Sequence, residues 1–188
     1  MRFKEKNASK IGSGMAGSRK ALRATVAVAS TLASLLVSTS ALAAGPDTGL
    51  KWSEDPTTHC KFVAPESLGD GPKYWTGSCS TITSIATGVG MILARNGNQA
   101  GPAFYGEVRA GIPIIGVVDE GNGYRAGLFD GKEVGLKDSE RVDIDDSFEV
   151  AVVAAKRVSE DYKRQGNTAS AKHYLAVAKT LDKQLDRD

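Results

Sequence analysis

The hydrophobic and polar residues follow two different patterns, one in the middle of the chain and one at its end. Between residues 73 and 136, short runs of β-branched, aromatic and small residues alternate with glycine-containing turns, a pattern typical of antiparallel hairpins. The runs predict strands at 74–80, 89–94, 104–109, 114–118 and 124–129. The turns fall at 96–98, at Gly111, at 121–123 and at 130–131. This zone therefore predicts a β-meander.

From residue 143 to 187 the apolar positions recur every three or four residues, which indicates helices. A first stripe consists of Phe148, Ala151, Val152, Ala155, Val158 and Tyr162. Gly166 and Asn167 predict its end, and Thr168 predicts the cap of a second helix. The second stripe consists of Ala171, Tyr174, Leu175, Ala178, Leu181 and Leu185. The expected fold is α+β: an antiparallel β-meander followed by a C-terminal αα-hairpin.

The first 43 residues have the three parts of a cleavable export signal: a basic region, an apolar run at 24–37 and an Ala41-Leu42-Ala43 cleavage site. Met15 is an alternative start that would give a signal of conventional length. A retained anchor over 24–44 is the other possibility, since that stretch is just long enough to span a bilayer. The cleavage site favours removal. We expect a periplasmic or secreted protein with no stable membrane span.

Removal of residues 1–43 changes the charge of the chain. The whole sequence has a net charge of +2, with 24 Lys and Arg against 22 Asp and Glu. The signal holds seven of these basic residues and one of the acidic ones, so 17 bases and 21 acids remain. A mildly acidic chain of about 145 residues is a poor candidate for binding nucleic acid and is large enough for one domain.

Residues 44–72 are rich in Pro, Gly, Asp and Thr and predict an extended arm with one short strand at 60–63. Cys60 lies in this arm and Cys79 in the β zone. In an exported chain such a pair favours a disulfide, which would pin the arm so that it need bury little apolar surface itself. A redox pair is the alternative, although the spacing is unlike C-x-x-C.

An aromatic residue followed two positions later by glycine occurs at Trp75-Thr76-Gly77 and at Phe104-Tyr105-Gly106. A looser copy, Tyr124-Arg125-Ala126-Gly127, has one extra residue. With its spaced glycines, this zone resembles the MORN repeat family. The resemblance implies one β-hairpin per unit and a scaffold or binding role. The intervals between copies, 29 and 21 residues, are uneven, and an ordinary β-meander is the alternative.

The histidines and acidic residues form no recognisable catalytic or metal-binding motif. His59 adjoins Cys60, and His173 falls on the polar side of the second helix. The acids Asp143, Asp145, Asp146 and Glu149 lack the spacing of a calcium loop and suit a helix start, where the dipole favours negative charge. No G-x-G-x-x-G or G-x-S-x-G motif occurs. We expect neither a cofactor nor a metal.

The candidate binding residues are aromatic: Tyr74, Trp75, Phe104, Tyr105 and Tyr124. Neighbouring strand residues point to opposite faces, so one residue of each adjacent pair is expected to face outward. The favoured function is a non-catalytic binding or protein-interaction module of the cell envelope, whose partner is a protein or another envelope component. The alternatives are a small hydrolase using Glu107, Asp119 or Glu120, and an inhibitor or immunity-type partner.

Overall fold

The computed structural model describes residues 49–97, 99–135 and 141–185, with the side chains of residues 141 and 142 excepted. The predicted signal 1–43, the first residues of the arm, Asn98, residues 136–140 and the last three residues lie outside the described part. The strands are β1 Trp52–Glu54, β2 Lys61–Val63, β3 Lys73–Trp75, β4 Ser78–Cys79, β5 Ala86–Asn96, β6 Gln99–Arg109, β7 Ile112–Asp119, β8 Tyr124–Phe129 and β9 Val134–Gly135. A 3-10 turn covers Glu66–Leu68, and the helices are α1 Arg141–Arg164 and α2 Thr168–Leu185.

The main sheet is an antiparallel meander in the order β3-β5-β6-β7-β8-β9, and β4 pairs with β5 beside β3. The α+β fold, with hairpins followed by a two-helix hairpin, is confirmed. The strand expected at 74–80 is split at Thr76. The Thr76 N–H donates to the Met91 carbonyl, but the Met91 N–H donates to the Thr76 hydroxyl, a side-chain group, so the regular backbone pairing is interrupted there. Pro113 lies inside β7, at a bulge in its pairing with β6, where a missing backbone donor is tolerated.

The two helices cover one face of the sheet. Helix α1 packs on β5 to β8, and α2 packs on α1. Their shared core contains Met91, Leu93, Tyr105, Val117, Ala151, Ala155, Val158, Tyr174, Ala178 and Leu181. Leu175 differs from the predicted stripe, because it is substantially exposed on the outer side of α2.

The connection between the helices follows its predicted chemistry, with one correction. Gly166 has a φ of 76°, and its N–H donates to Lys163 while that of Asn167 donates to Tyr162, which together make a Schellman motif. Asn167 caps α2 in place of Thr168, because its Oδ1 accepts the N–H of Ser170 at 3.1 Å. Thr168 is instead the first residue of α2.

The opposite face of the sheet is covered by the segment expected to be an extended arm. Its strands β1 and β2 form a separate hairpin. Phe62, Leu68 and Cys60 from this segment are buried against residues of the main sheet, which include Trp75, Ile92, Phe104, Val108 and Val118. The prediction that the arm buries little apolar surface is therefore wrong. The fold has three layers: arm, sheet and helices.

A row of glycines crosses the arm-facing side of the sheet, with Gly90, Gly106, Gly116 and Gly127 paired in register on β5 to β8. Two aromatic rings occupy the space that a side chain at Gly90, Gly106 or Gly116 would need. The ring of Phe104 lies over Gly106 and Gly116, and that of Trp75 lies over Gly77 and Gly90. The aromatic-x-glycine copies at 75–77 and 104–106 thus share one local structure. Tyr124 is three residues from Gly127, and since faces alternate it lies on the helix side.

Candidate functional site

The five aromatic candidates are mostly internal. Trp75, Phe104 and Tyr105 are buried, while Tyr74 and Tyr124 are half-buried. Phe104 packs toward the arm and Tyr105 toward the helices. The expectation that one residue of each adjacent pair faces outward fails for Phe104 and Tyr105, because both faces of the sheet are covered. The faces of the sheet are thus not available for binding, and the candidate surfaces lie at its ends, where Tyr105 lines a cleft.

One end of the sheet is braced by the predicted disulfide between Cys60 and Cys79, which is formed. We call it the disulfide end. The loop that follows Cys79 is fastened to β2, since Lys61 N–H donates to the Ser84 carbonyl at 2.8 Å. The β6–β7 turn is fastened on both sides, because Gly111 N–H donates to Ala86 and its carbonyl accepts from Val63. Three segments distant in sequence are thus held together at this end.

Three non-glycine residues adopt the left-handed backbone conformation at the disulfide end. The φ angles are 58° at His59, 53° at Ser84 and 47° at Ala110. This conformation is strained for residues with a Cβ, and such strain persists only where surrounding contacts enforce it. His59 is further held by its Nδ1, which lies 2.7 Å from the Glu54 carboxylate. The loops at this end therefore have defined shapes.

A buried carboxylate fixes the arm to the edge of the sheet. Asp55 is 2% exposed. Its Oδ1 accepts the N–H groups of Thr57 and Thr58 at 2.7 and 3.0 Å, and its Oδ2 accepts that of Trp75 at 2.8 Å. Because hydrogen bonds to an ionised acceptor are stronger than neutral ones, Asp55 positions the β1–β2 hairpin beside β3.

An exposed apolar surface lies on this braced end. Trp52 is 47% exposed and Ile82 is 93% exposed. The Trp52 ring and the Ile85 side chain lie against Gly111, and a cleft of about 580 Å³ is lined by Trp52, Thr83 and Ile85 with the polar residues Ser53, Glu54 and Lys61. We call Trp52, Ile82, Thr83 and Ile85 the Trp52 surface. Sequence analysis missed it, since Trp52 lies in the segment interpreted as a plain arm.

A second cleft, of about 410 Å³, lies at the opposite end, where β5 ends and β6 begins. We call it the tyrosine cleft. Its side chains with polar groups are Tyr105, Asp119, Glu120, His173 and Tyr174. The Tyr174 ring stacks on Tyr162 with centroids 5.4 Å apart, and His173 contacts it edge-on. Burial raises the pKa of Tyr174 to about 12.

The three carboxylates considered for hydrolysis do not form one group. Glu107 is paired with Arg109 at 2.7 Å, and Glu120 is paired with Arg125. Asp119 lies opposite Ala103, four residues along β6 from Glu107, which corresponds to about 13 Å. This separation exceeds that of the paired acids in glycosidases. The geometry gives this hypothesis no support.

The acidic residues near residue 143 lie at the start of α1. Asp145 and Asp146 are exposed in the first turns of α1, and the carbonyl of Asp143 accepts the Ser147 hydroxyl. Across residues 49–97, 99–135 and 141–185, no group of three or more His, Cys, Asp or Glu side chains could hold a metal ion. Within those ranges no helix is long and apolar enough to cross a membrane.

No protein-family model, curated protein or solved structure matches this chain. The class of protein defined so far is structural: an α+β domain with a meander covered on both faces and braced by a disulfide at one end. The resemblance of residues 75–131 to MORN repeats stays a prediction.

Proposed function

We propose that this chain is an exported, non-catalytic interaction module of the cell envelope and that it binds a protein partner through the Trp52 surface. The observation that carries the proposal is an exposed Trp52 that lines a cleft with Thr83 and Ile85, next to which the chain presents the almost fully exposed Ile82. Large apolar side chains are the residues that anchor protein interfaces, and Trp is prominent among them.

The surroundings of the Trp52 surface support a binding role. Association costs free energy when loops must become ordered, and this cost falls when the bound conformation is preformed. The loop that carries Ile82 begins at the disulfide and is hydrogen-bonded to β2 through Ser84. The turn beneath Trp52 is hydrogen-bonded on both sides. The partner would meet a surface that needs little reorganisation.

Export is supported by the basic, apolar and Ala-x-Ala segments in order and by a disulfide, which persists in oxidising compartments. The test is the mass of the protein recovered from the periplasm, measured with and without reduction and alkylation. We expect cleavage after Ala43 or Ala44 and no alkylation before reduction. A full-length chain with two free thiols would contradict the proposed compartment.

Binding is tested with a photo-crosslinking amino acid at position 82 of the purified mature protein, irradiated in an envelope extract. The matched control carries it at Val153, an apolar residue of α1 that is 54% exposed. We expect a discrete protein adduct from position 82 and none from position 153. Excess purified mature protein should compete the adduct away, whereas the same excess of Trp52→Ser should not.

Two outcomes would contradict this proposal. One is the same adducts from both positions, which would indicate collisions without a specific surface. The other is equal competition by the wild type and the Trp52→Ser variant, which would place the contact outside the Trp52 surface. Circular dichroism of Trp52→Ser verifies that the competitor is folded, and Ile82→Ser provides a second competitor at a position with little contact to the fold.

A further inference from the structure

The tyrosine cleft contains a polar group that the fold itself leaves unused. Tyr105 is 3% exposed, and its ring belongs to the core between the sheet and α1. The side chain nevertheless lines the cleft, and among the described residues its hydroxyl has no hydrogen-bond partner. Since no fully buried side-chain oxygen or nitrogen of the described residues lacks a hydrogen-bond partner, this hydroxyl is open to the cleft. The Tyr105 hydroxyl is therefore available to a molecule in the cleft.

The register of the sheet places an acceptor beside this donor. Tyr105 is opposite Val117 on β7, so Asp119, two residues further along, lies on the same face as its diagonal neighbour. Such neighbours are about 7 Å apart, within reach of long side chains. Asp119 uses Oδ1 to accept the N–H of Gly121 at 2.8 Å. Its Oδ2 has no partner in the part of the chain that the structure describes.

The Tyr105 hydroxyl keeps its proton and so stays a donor beside the acceptor Asp119. Burial raises the pKa of Tyr105 well above its usual value, and the nearby Tyr174 and Asp119 raise it further. Tyr105 thus remains a hydrogen-bond donor at every physiological pH. The pKa of Tyr124 is also raised, chiefly by burial and to a smaller extent by the charge of Asp119, which lies opposite it on β7.

The charges and rings of the cleft define what it accepts. The carboxylate of Asp119 disfavours an anion. The ring of Tyr174 is stacked on Tyr162 and contacted by His173, which leaves little aromatic surface for a cation. Since Glu120 is already neutralised by Arg125, the groups that remain include the Tyr105 donor and the Asp119 acceptor on neighbouring strands. Adjacent hydroxyl groups on a neutral ring match such a pair.

We propose that the tyrosine cleft binds a neutral saccharide unit, with one sugar hydroxyl accepting from Tyr105 and its neighbour donating to Asp119. The cleft volume of about 410 Å³ is within the range of small-ligand sites. The site is independent of the Trp52 surface, which lies at the other end of the sheet. Either proposal can therefore fail without the other.

The experiment titrates the purified mature chain with single sugars and follows backbone amide chemical shifts by NMR. The neutral probes are methyl glucoside, methyl galactoside and N-acetylglucosamine, and the charged probes are glucuronate and glucosamine. We expect a neutral sugar to shift the amides of Gly101 and Gly121, which line the cleft. The absence of shifts with all three neutral probes, or tighter binding of a charged probe, would overturn the proposal.

Variants separate a specific site from weak general binding. Tyr105→Phe removes the donor and should weaken binding about tenfold, as expected for loss of one good hydrogen bond. Asp119→Asn should weaken it by a similar factor. The control Tyr74→Phe removes a hydroxyl outside the cleft and should leave the affinity unchanged. Equal affinities for the wild type and Tyr105→Phe would overturn the proposal.

A stability measurement provides a second readout on the same variant. Because the Tyr105 hydroxyl has no partner inside the described fold, Tyr105→Phe should be at least as stable as the wild type in urea without sugar. The sugar that binds should then stabilise the wild type more than Tyr105→Phe. A marked loss of stability in the variant without sugar would show that the hydroxyl has an internal partner, which also overturns the proposal.

Discussion

The carboxylate of Asp55 accepts the backbone N–H of Trp75 at 2.8 Å, and this hydrogen bond joins the β1–β2 hairpin to the edge of the main sheet. The other oxygen of Asp55 accepts two N–H groups of the turn between β1 and β2. One buried side chain therefore shapes that turn and also attaches it to the sheet.

We predict that Asp55→Asn lowers the free energy of unfolding by about 1–3 kcal/mol, because an amide NH₂ would face a backbone N–H and leave a buried donor unsatisfied. The measurement is urea unfolding of the mature chain, with an unchanged m-value. The control Asp70→Asn alters a carboxylate that is paired with Lys51 on the surface and should have little effect. Equal losses in the two variants would show that Asp55 has no special role.

The glycine row gives a second prediction. A Cβ at Gly106 would overlap the Ile115 carbonyl oxygen and the Phe104 ring. We expect Gly106→Ala to lower the free energy of unfolding by about 1–3 kcal/mol through overpacking. Gly123→Ala is the matched control, since a Cβ at Gly123 would meet no atom within 4 Å and the backbone φ there is not left-handed. If both variants unfold at the same urea concentration, the ring does not occupy the space assigned to it.

The β6–β7 turn gives a prediction of the opposite sign. Ala110 and Gly111 form a two-residue connection between the paired residues Arg109 and Ile112, and both have positive φ, as a type I′ turn requires. Asn tolerates this conformation better than Ala. Ala110→Asn should raise the free energy of unfolding by about 0.5 kcal/mol, measured in urea. The same substitution at Ala100, an exposed strand residue, should give no gain; a gain there as well would have another cause.

Alkaline pH should weaken the fold. Burial raises the pKa of Tyr174 to about 12, whereas tyrosines in the unfolded chain ionise near about pH 10. Since the folded pKa is the higher one, the stabilising contribution is complete below about pH 10 and is lost as the pH rises toward about 12.

The measurement is the free energy of unfolding of the wild type and of Tyr174→Phe across this range. We expect the difference between them to be constant up to about pH 9 and the wild type to lose more stability above about pH 10, because only it can ionise at this position. A pH-independent difference would show that the folded and unfolded pKa values of Tyr174 do not differ.

The regular parts of the fold could be predicted from the sequence because their signals are repeated. Two apolar stripes and the glycine at residue 166 indicate the helical hairpin with almost correct bounds. The packing of the arm could not be predicted in this way. Phe62 and Leu68 lie in a segment with no periodicity, and each is buried only because the sheet brings a complementary face to it.

The candidate sites depend on how the strands pair, and the sequence alone does not indicate which residues of neighbouring strands lie opposite one another. Tyr105 and Tyr124 were identified as aromatic candidates, but Asp119 becomes their neighbour through the pairing of β6, β7 and β8. Trp52 becomes a surface residue because the β6–β7 turn lies beneath its ring. In both cases the residues are distant in sequence and meet only after the sheet has formed.

The order of the strands in the main sheet has a consequence for assembly. From β5 to β9 each strand pairs with the one before it, so short loops close before any distant contact is required, which favours rapid folding. The helices come last along the chain and cover a face that the preceding strands have already defined. Strands β5 to β9 can therefore pair in the order in which they appear along the chain, whereas the arm, which comes first, packs only once the sheet has formed.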